Sequence, residues 1–262
     1  MPPTLRHPQR LARAALLALL GCGTLAFSGS ASQPPVDRNS PEFQFVRLAY
    51  TAVGGGYGRG FGRGESWLTD APEAEQHFMQ GVKRLTRLSA GSDSIGIRPA
   101  DPELFNYPFL YAVEVGHWDL SDSDGAQLRE HLLRGGFLMV DDFHGTLEWE
   151  TFMESLRRIF PDRPVVEIPD TAEVFHVLYD LDQRIQIPGL AALRNGVTYE
   201  KDGRTPHWRG VFDDDGRLMI AINFNMDMGD AWELADEPYY PQPMTALAYR
   251  FGINYILYTM TH

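Results

Sequence analysis

Arg134-Gly-Gly-Phe-Leu-Met-Val-Asp-Asp-Phe-His144 is the stretch whose reading decides the fold. The glycine pair ends a helix. Phe137 to Val140 then run as a short, wholly apolar strand. That strand opens onto two carboxylates and an imidazole. In an open α/β sheet, ligands sit just beyond the carboxyl ends of the strands. Asp141, Asp142 and His144 are therefore the candidate catalytic residues. The two aspartates are adjacent, so their side chains diverge. Only one can point along the crevice, and the other caps a loop or the following helix. An Asp–His pair here would serve as a general base or bind a metal.

Working outward, strands and helices alternate. Upstream lies a strand candidate over Phe109–Val113, then a loop holding Glu114 and His117. Ser121 caps a helix containing Leu128, Leu132 and Leu133, stopped by Gly135-Gly136. Downstream, Thr146–Phe160 reads as a helix with Phe152, Leu156, Ile159 and Phe160 inward. Pro161 ends it, and a strand follows over Val165–Ile168. Nearer the start, Phe43–Tyr50 reads as a strand, followed by the glycine-dense segment Gly54–Gly64. Thr69 or Asp70 caps a helix with Phe78, Val82, Leu85 and Leu88 on one face, and Ile95-Gly-Ile97 is a short strand. This alternation predicts an α/β fold with a doubly wound, mostly parallel sheet. After about residue 170 the pattern changes. Val174–Leu181 reads as a short helix, Val211–Ile222 as a hairpin turned on Asp215-Gly216, and Met244–Met260 as a last helix. The final third is read as a C-terminal elaboration of the sheet.

The first 32 residues read as a leader. Arg6, Arg10 and Arg13 precede an apolar run over Ala14–Leu20, and small residues follow at Ser28–Ser32. That is the layout of a secretory signal peptide. Cys22, the one cysteine, follows Leu19-Leu20-Gly21 in the manner of a lipobox. Two readings stand: an acylated anchor, or a residue lost with the leader. Neither leaves a disulfide or a thiol nucleophile. Residues 33–41 read as a linker, and 42–262 as a single α/β domain. The chain carries a formal charge of −12, and losing the leader's three arginines leaves −15. That balance disfavours nucleic acid and anionic membrane surfaces as partners. The expected location is periplasmic, or at the membrane through a lipid anchor.

Three further groups of residues carry chemistry. Glu114 and His117 would face Asp141 and His144 if the two strands are neighbours. His117 with nearby carboxylates has the donor types for Zn²⁺, Mn²⁺ or Fe²⁺, so a divalent metal is the candidate cofactor. In the glycine segment, Gly55 and Gly56 permit close backbone approach to a ligand, and Arg59 and Arg63 would hold an anion. Its aromatic residues would stack on a saccharide-like small molecule. Asn223, Asn225, Asp227, Asp230 and Glu233 form an oxygen-rich cluster. Asn225 and Asp227 are expected to share one strand face and to bind ligand. The spacing is not that of a helix–loop–helix Ca²⁺ site.

Four stretches, in order, resemble the bacterial domain-of-unknown-function family numbered 4159 over residues 43–262. They are Gly135-Gly-Phe-Leu-Met-Val-Asp-Asp-Phe143, Arg157-Arg-Ile-Phe-Pro-Asp-Arg-Pro164, Ile222-Asn-Phe-Asn-Met-Asp-Met-Gly-Asp-Ala-Trp-Glu233 and Arg250-Phe-Gly-Ile-Asn-Tyr255. That family is similar to class I glutamine amidotransferase-like folds, including the trehalose-utilisation group. The resemblance implies a three-layer flavodoxin-like fold and supplies no activity. Amidotransferases place a nucleophilic Cys at the turn that here reads Asp141-Asp-Phe-His-Gly145, so thioester chemistry is not expected. His144 is the counterpart of a histidine kept near this turn in the trehalose-utilisation group. Relatives occur with von Willebrand-type and ATPase proteins, which implies envelope protein partners. The expected function is an exported ligand-binding or interaction domain. The alternative is a metal-dependent hydrolase or lyase using Asp, His and Glu groups at the sheet edge.

Overall fold

The strand segments Phe109–Val113 and Phe137–Asp141 are unbroken apolar runs, and each is buried throughout. Such runs form strands covered on both faces, as in a parallel sheet. The computed structural model describes residues 41–53 and 66–262. In chain order the elements are β1 (Val46–Leu48), α1 (Glu73–Leu85), β2 (Ile95–Ile97), β3 (Phe109–Val113), α2 (Asp122–Leu133), β4 (Phe137–Asp141), α3 (Gly145–Ile159), β5 (Val166–Glu167), α4 (Leu190–Arg194), β6 (His207–Phe212), β7 (Leu218–Phe224), α5 (Met228–Glu233) and α6 (Gln242–Thr261).

The seven strands form one sheet in the order β2-β1-β3-β4-β7-β6-β5. Strands β2, β1, β3, β4 and β7 are parallel, and β6 runs against both its neighbours. The register sets Val113 opposite Asp141, so β3 and β4 end side by side. Alternate residues feed two separate apolar cores. Phe109, Tyr111 and Val113 join Phe78, Trp232, Phe251 and Tyr255 on one face. Leu110 and Ala112 join Leu128, Phe152 and Leu156 on the other.

Local chemistry places the helices. The Ser121 hydroxyl accepts from the Asp124 amide at 3.1 Å, and the Asp124 carboxylate accepts from the Ser121 amide at 3.0 Å. This capping box starts α2. Ser121→Ala is expected to lower stability by about 1 kcal/mol, read by urea denaturation. No helix of the described residues is long and apolar enough to cross a membrane.

Two expectations need correction. The first strand spans Val46–Leu48 rather than Phe43–Tyr50, because its partner β2 is itself three residues long; Phe43 bridges separately to Ala90. The segment 174–181 is not a helix beyond a single 3₁₀ turn, Glu173–Phe175. The Asn254 side chain takes both backbone groups of Tyr179, at 3.0 and 2.8 Å, and so removes them from helical bonding. The final third adds β6 and β7 to the same sheet. The β6–β7 hairpin forms as expected, but β7 pairs in parallel with β4 inside the sheet, and α6 supplies core residues.

Candidate functional site at the carboxyl edge of the sheet

Strand β3 ends at Val113, and Glu114 follows with φ 54°, in the left-handed region. The Tyr50 hydroxyl fixes this corner by donating to the carbonyls of Val113 at 2.6 Å and Glu114 at 2.9 Å. A 3₁₀ turn, Val115–His117, then carries His117 back over Glu114. His117 Nε2 lies 3.4 Å from Glu114 Oε2 and 3.2 Å from Glu148 Oε1. Glu148 belongs to the first turn of α3, where its other oxygen accepts the His144 amide at 2.6 Å. The Lys201 ammonium pairs with Glu148 Oε1. Gly116 permits this approach, since a Cβ there would sit 2.5 Å from that of Glu148. Burial pushes the Glu148 carboxyl up, but hydrogen bonds from His117, Lys201 and the His144 amide outweigh it and leave it at about 2. Glu114 goes the other way: burial and repulsion from Asp142 and Glu148 raise it to about 9.

Strand β4 ends in the expected carboxylate pair, and the two diverge. Asp141 is wholly buried. Its Oδ2 accepts from the amides of Met228 at 2.8 Å and Gly229 at 3.2 Å, and from the Tyr111 hydroxyl at 3.3 Å. Through Oδ2 it anchors the start of α5, while its buried Oδ1 has no hydrogen-bond partner. Burial and the Asp142 charge raise its carboxyl to about 7, against the pull of those amides. Asp142 follows with φ 50°. Its Oδ1 lies 3.1 Å from His144 Nε2, and both side chains are largely enclosed. The expected Asp–His pair therefore exists, and it is Asp142 with His144.

Strand β7 ends at Phe224, and Asn225 follows with φ 63°. Asn225 is not a free ligand: its Oδ1 accepts from the Gly145 amide and its Nδ2 donates to the Thr205 carbonyl. Nor does it share a strand face with Asp227, because the strand has already ended. Asp227 instead caps α5, accepting from the Asp230 amide at 2.7 Å. Asp230 Oδ2 accepts from the Leu190 amide at 2.6 Å. One carboxylate oxygen from each of Asp70, Asp227 and Asp230 lies within 4.8 Å of the others. A Cβ on Gly189 would sit 2.7 Å from Asp227 Oδ2 and Glu200 Oε1 and 3.3 Å from Asp230 Oδ2, so Glu200 lies on the same side of Gly189 as two of these acids. Burial, then repulsion among these acids and Asp142, holds Asp70 and Asp227 well above the ordinary carboxylate range. Asp70 itself has φ 63°, and its buried Oδ2 has no hydrogen-bond partner.

The structure thus brings together Glu114, His117, Asp142, His144 and Asp227. Gly55, Gly56, Arg59 and Arg63 lie outside the described residues. Sequence reasoning gave Asp70 only as a helix cap and did not single out Glu148, Glu200 or Lys201. Glu148 had a local signal, an acid in the first turn of a helix that starts at the sheet edge. Lys201 and Glu200 had none. A separate cavity of about 540 Å³ lies at the opposite end of β7, lined in part by Arg217, Tyr258 and His262, and holds none of the expected residues.

No curated protein matches the chain. The model of the family described as Domain of unknown function (DUF4159) matches residues 44–260, and the chain belongs to that family.

Proposed function

We propose that this chain is a ligand-binding domain that takes an oxygen-rich small molecule through a divalent cation at the carboxyl edge of its sheet. One observation carries the reading. Among the described residues, the five non-glycine residues with positive φ are Asp70, Glu114, Asp142, Lys201 and Asn225, and all five sit at this edge. Three of them directly follow the ends of β3, β4 and β7. Left-handed backbone costs an ordinary residue on the order of 1–3 kcal/mol and gathers at ligand sites. The acids there outnumber the cations, and burial raises several of their pKa values. A divalent cation relieves both conditions. The all-oxygen donors of Asp70, Asp227 and Asp230 suit Mg²⁺ or Ca²⁺.

The strand order supports a three-layer flavodoxin-like fold of the amidotransferase type. Its parallel part runs 2-1-3-4-7, with the direction reversing between β1 and β3. Ligands of such sheets bind at that reversal, and Asp70 and Glu114 flank it. The turn after β4 carries Asp142 and no Cys, which supports binding over thioester chemistry. The leader-like residues 1–32 support export to the periplasm, with Cys22 as a lipid anchor in one version, and with envelope proteins as partners.

The test is calorimetric and thermal titration of the chelator-free protein with Ca²⁺ and Mg²⁺. One bound cation is expected. At a hundredfold excess over Kd it should add about 2.7 kcal/mol and raise Tm by about 5–10 °C. Asp227→Asn should abolish both effects while keeping the fold, because Asn also caps helices. Absence of heat and of a Tm shift in the native protein overturns the reading.

A second reading is a metal-dependent hydrolase or lyase. It is favoured by Asp142, paired to His144 on a left-handed residue of a strand-to-helix turn, where hydrolases place reacting groups. Metal-dependent turnover of esters, amides or glycosides that Asp142→Asn abolishes would replace the binding reading.

A further inference from the structure

We infer that Glu114, His117 and Glu148 form a second cation site, of a different class, for a transition-series divalent ion such as Zn²⁺ or Mn²⁺, and that Lys201 competes for it. The inference goes beyond the first cation reading, because its donors are a separate set and the two stand or fall apart. The donors converge from three chain segments: the residue after β3, the end of a 3₁₀ turn, and the first turn of α3. All three donor atoms lie within 4.8 Å of one another. His117 Nε2 stands 3.4 and 3.2 Å from the two carboxylate oxygens. Two donors each about 2.0–2.1 Å from one metal, at a tetrahedral angle, are about 3.3–3.4 Å apart. The two imidazole-to-carboxylate spacings already match that value, and the two carboxylate oxygens lie within 4.8 Å of each other.

The donor set differs from that of Asp70, Asp227 and Asp230 in one decisive atom. An imidazole nitrogen suits Zn²⁺, Mn²⁺ or Fe²⁺, whereas carboxylates alone suit Mg²⁺ and Ca²⁺. The ligands are also held from behind. Glu148 Oε2 accepts the His144 amide, Gly116 lies against its stem, and Tyr50 holds the Glu114 carbonyl. Outer contacts of this kind fix ligand orientation. Lys201 supplies the independent sign that positive charge belongs here. Its ammonium rests on Glu148 Oε1, the same oxygen that faces His117, and its backbone is left-handed with φ 52°. Its side chain is 48 % exposed, so it can swing into solvent when a metal takes the oxygen.

Titration of the full chelator-free chain with Zn²⁺ and Mn²⁺ tests the inference, with Co²⁺ absorption as a second readout. One ion is expected, with a Co²⁺ spectrum that shows nitrogen ligation. His117→Ala should weaken binding at least 100-fold and remove that spectrum. Lys201→Ala should tighten binding several-fold, an effect opposite to the loss of a structural ion pair. Unchanged affinity in His117→Ala, or weaker binding in Lys201→Ala, overturns the inference. Should His117→Ala not fold, His117→Gln with the Lys201→Ala titration decides it. Ca²⁺ heat without Zn²⁺ or Mn²⁺ heat sinks this site and leaves the first reading standing. Zn²⁺ or Mn²⁺ heat without Ca²⁺ or Mg²⁺ heat does the reverse.

Discussion

Arg47→Met is expected to lower stability by about 3–5 kcal/mol, the usual cost of leaving one partner of a buried ion pair uncompensated. Arg47 lies in β1, and it and Glu75 are each 2 % exposed. The guanidinium binds the carboxylate with two bonds, Nε to Oε1 at 2.9 Å and Nη2 to Oε2 at 2.6 Å. Burial alone would raise Glu75, but the Arg47 hydrogen bonds and charge hold it below its ordinary value. Methionine fills the stem volume and leaves the Glu75 charge buried without a cation, with only the Ser94 hydroxyl still donating to it. The consequence reaches the site. Arg47 Nη1 also donates to the carbonyls of Trp67 at 3.0 Å and Thr69 at 2.8 Å. Those carbonyls lie three residues and one residue before Asp70. Arg47→Met/Glu75→Leu should therefore recover much of the stability, since an apolar pair removes the stranded charge. It should not recover Ca²⁺ affinity, because Asp70 stays untethered. Guanidinium denaturation and calorimetry separate the two effects. A loss below about 1 kcal/mol in Arg47→Met would show that Glu75 finds another partner.

The parts of the fold legible in the sequence were those fixed by local chemistry. The continuous apolar runs gave β3 and β4 nearly to the residue, and Ser121 with Gly135-Gly136 bounded α2. The hairpin at Asp215-Gly216 was legible because Gly216 takes φ 84° at the turn. The placement of β7 was not, because whether a hairpin's second strand lies at an edge or in mid-sheet depends on its pairing with a strand some 80 residues earlier. The segment 174–181 misled for a similar reason. Its apolar periodicity is real, but a distant Asn254 claims the backbone of Tyr179.

The candidate site follows the same division. Glu114, Asp142 and His144 announce themselves by following strands directly. His117 was within reach because the adjacency of β3 and β4 could be guessed. Asp227 reads as a strand-face residue in the sequence, whereas in the fold it caps α5. Arg47 was invisible: one charged residue in an alternating strand reads as the solvent face, and only the fold supplies Glu75 to bury it against. Asp70 and Lys201 are the clearest omissions. Each depends on a left-handed backbone conformation that favours Gly, Asn and Asp, and for Lys201 no composition signal marks it.

Asp141→Asn should flatten the fall in stability expected of the native chain between about pH 4 and pH 7. Asp141 is the fully buried neighbour of Asp142, and its carboxyl stands at about 7 in the fold against 3.8 in the unfolded reference. Below the lower value both states are protonated and the group makes no pH-dependent difference. Between the two values the unfolded chain releases its proton while the folded chain retains it, so unfolding is favoured as pH rises. Above the upper value both are ionised and the loss is complete. The full span corresponds to roughly 4 kcal/mol at about 1.36 kcal/mol for each unit. An asparagine in the same place accepts the Met228 and Gly229 amides through its carbonyl and carries no charge into the interior. The difference in unfolding free energy between variant and native chain should then favour the variant increasingly from pH 4 to pH 8. Glu233, raised to about 7 by burial and by Asp230, works in the same direction in both proteins and cancels from that difference. Saturating Ca²⁺ at pH 8 should narrow the gap, because a cation near Asp227 makes the ionised form of Asp141 less costly to hold. A difference curve flat across pH 4–8 would mean that Asp141 ionises at its ordinary value inside the fold, with the two α5 amides offsetting its burial and the Asp142 charge.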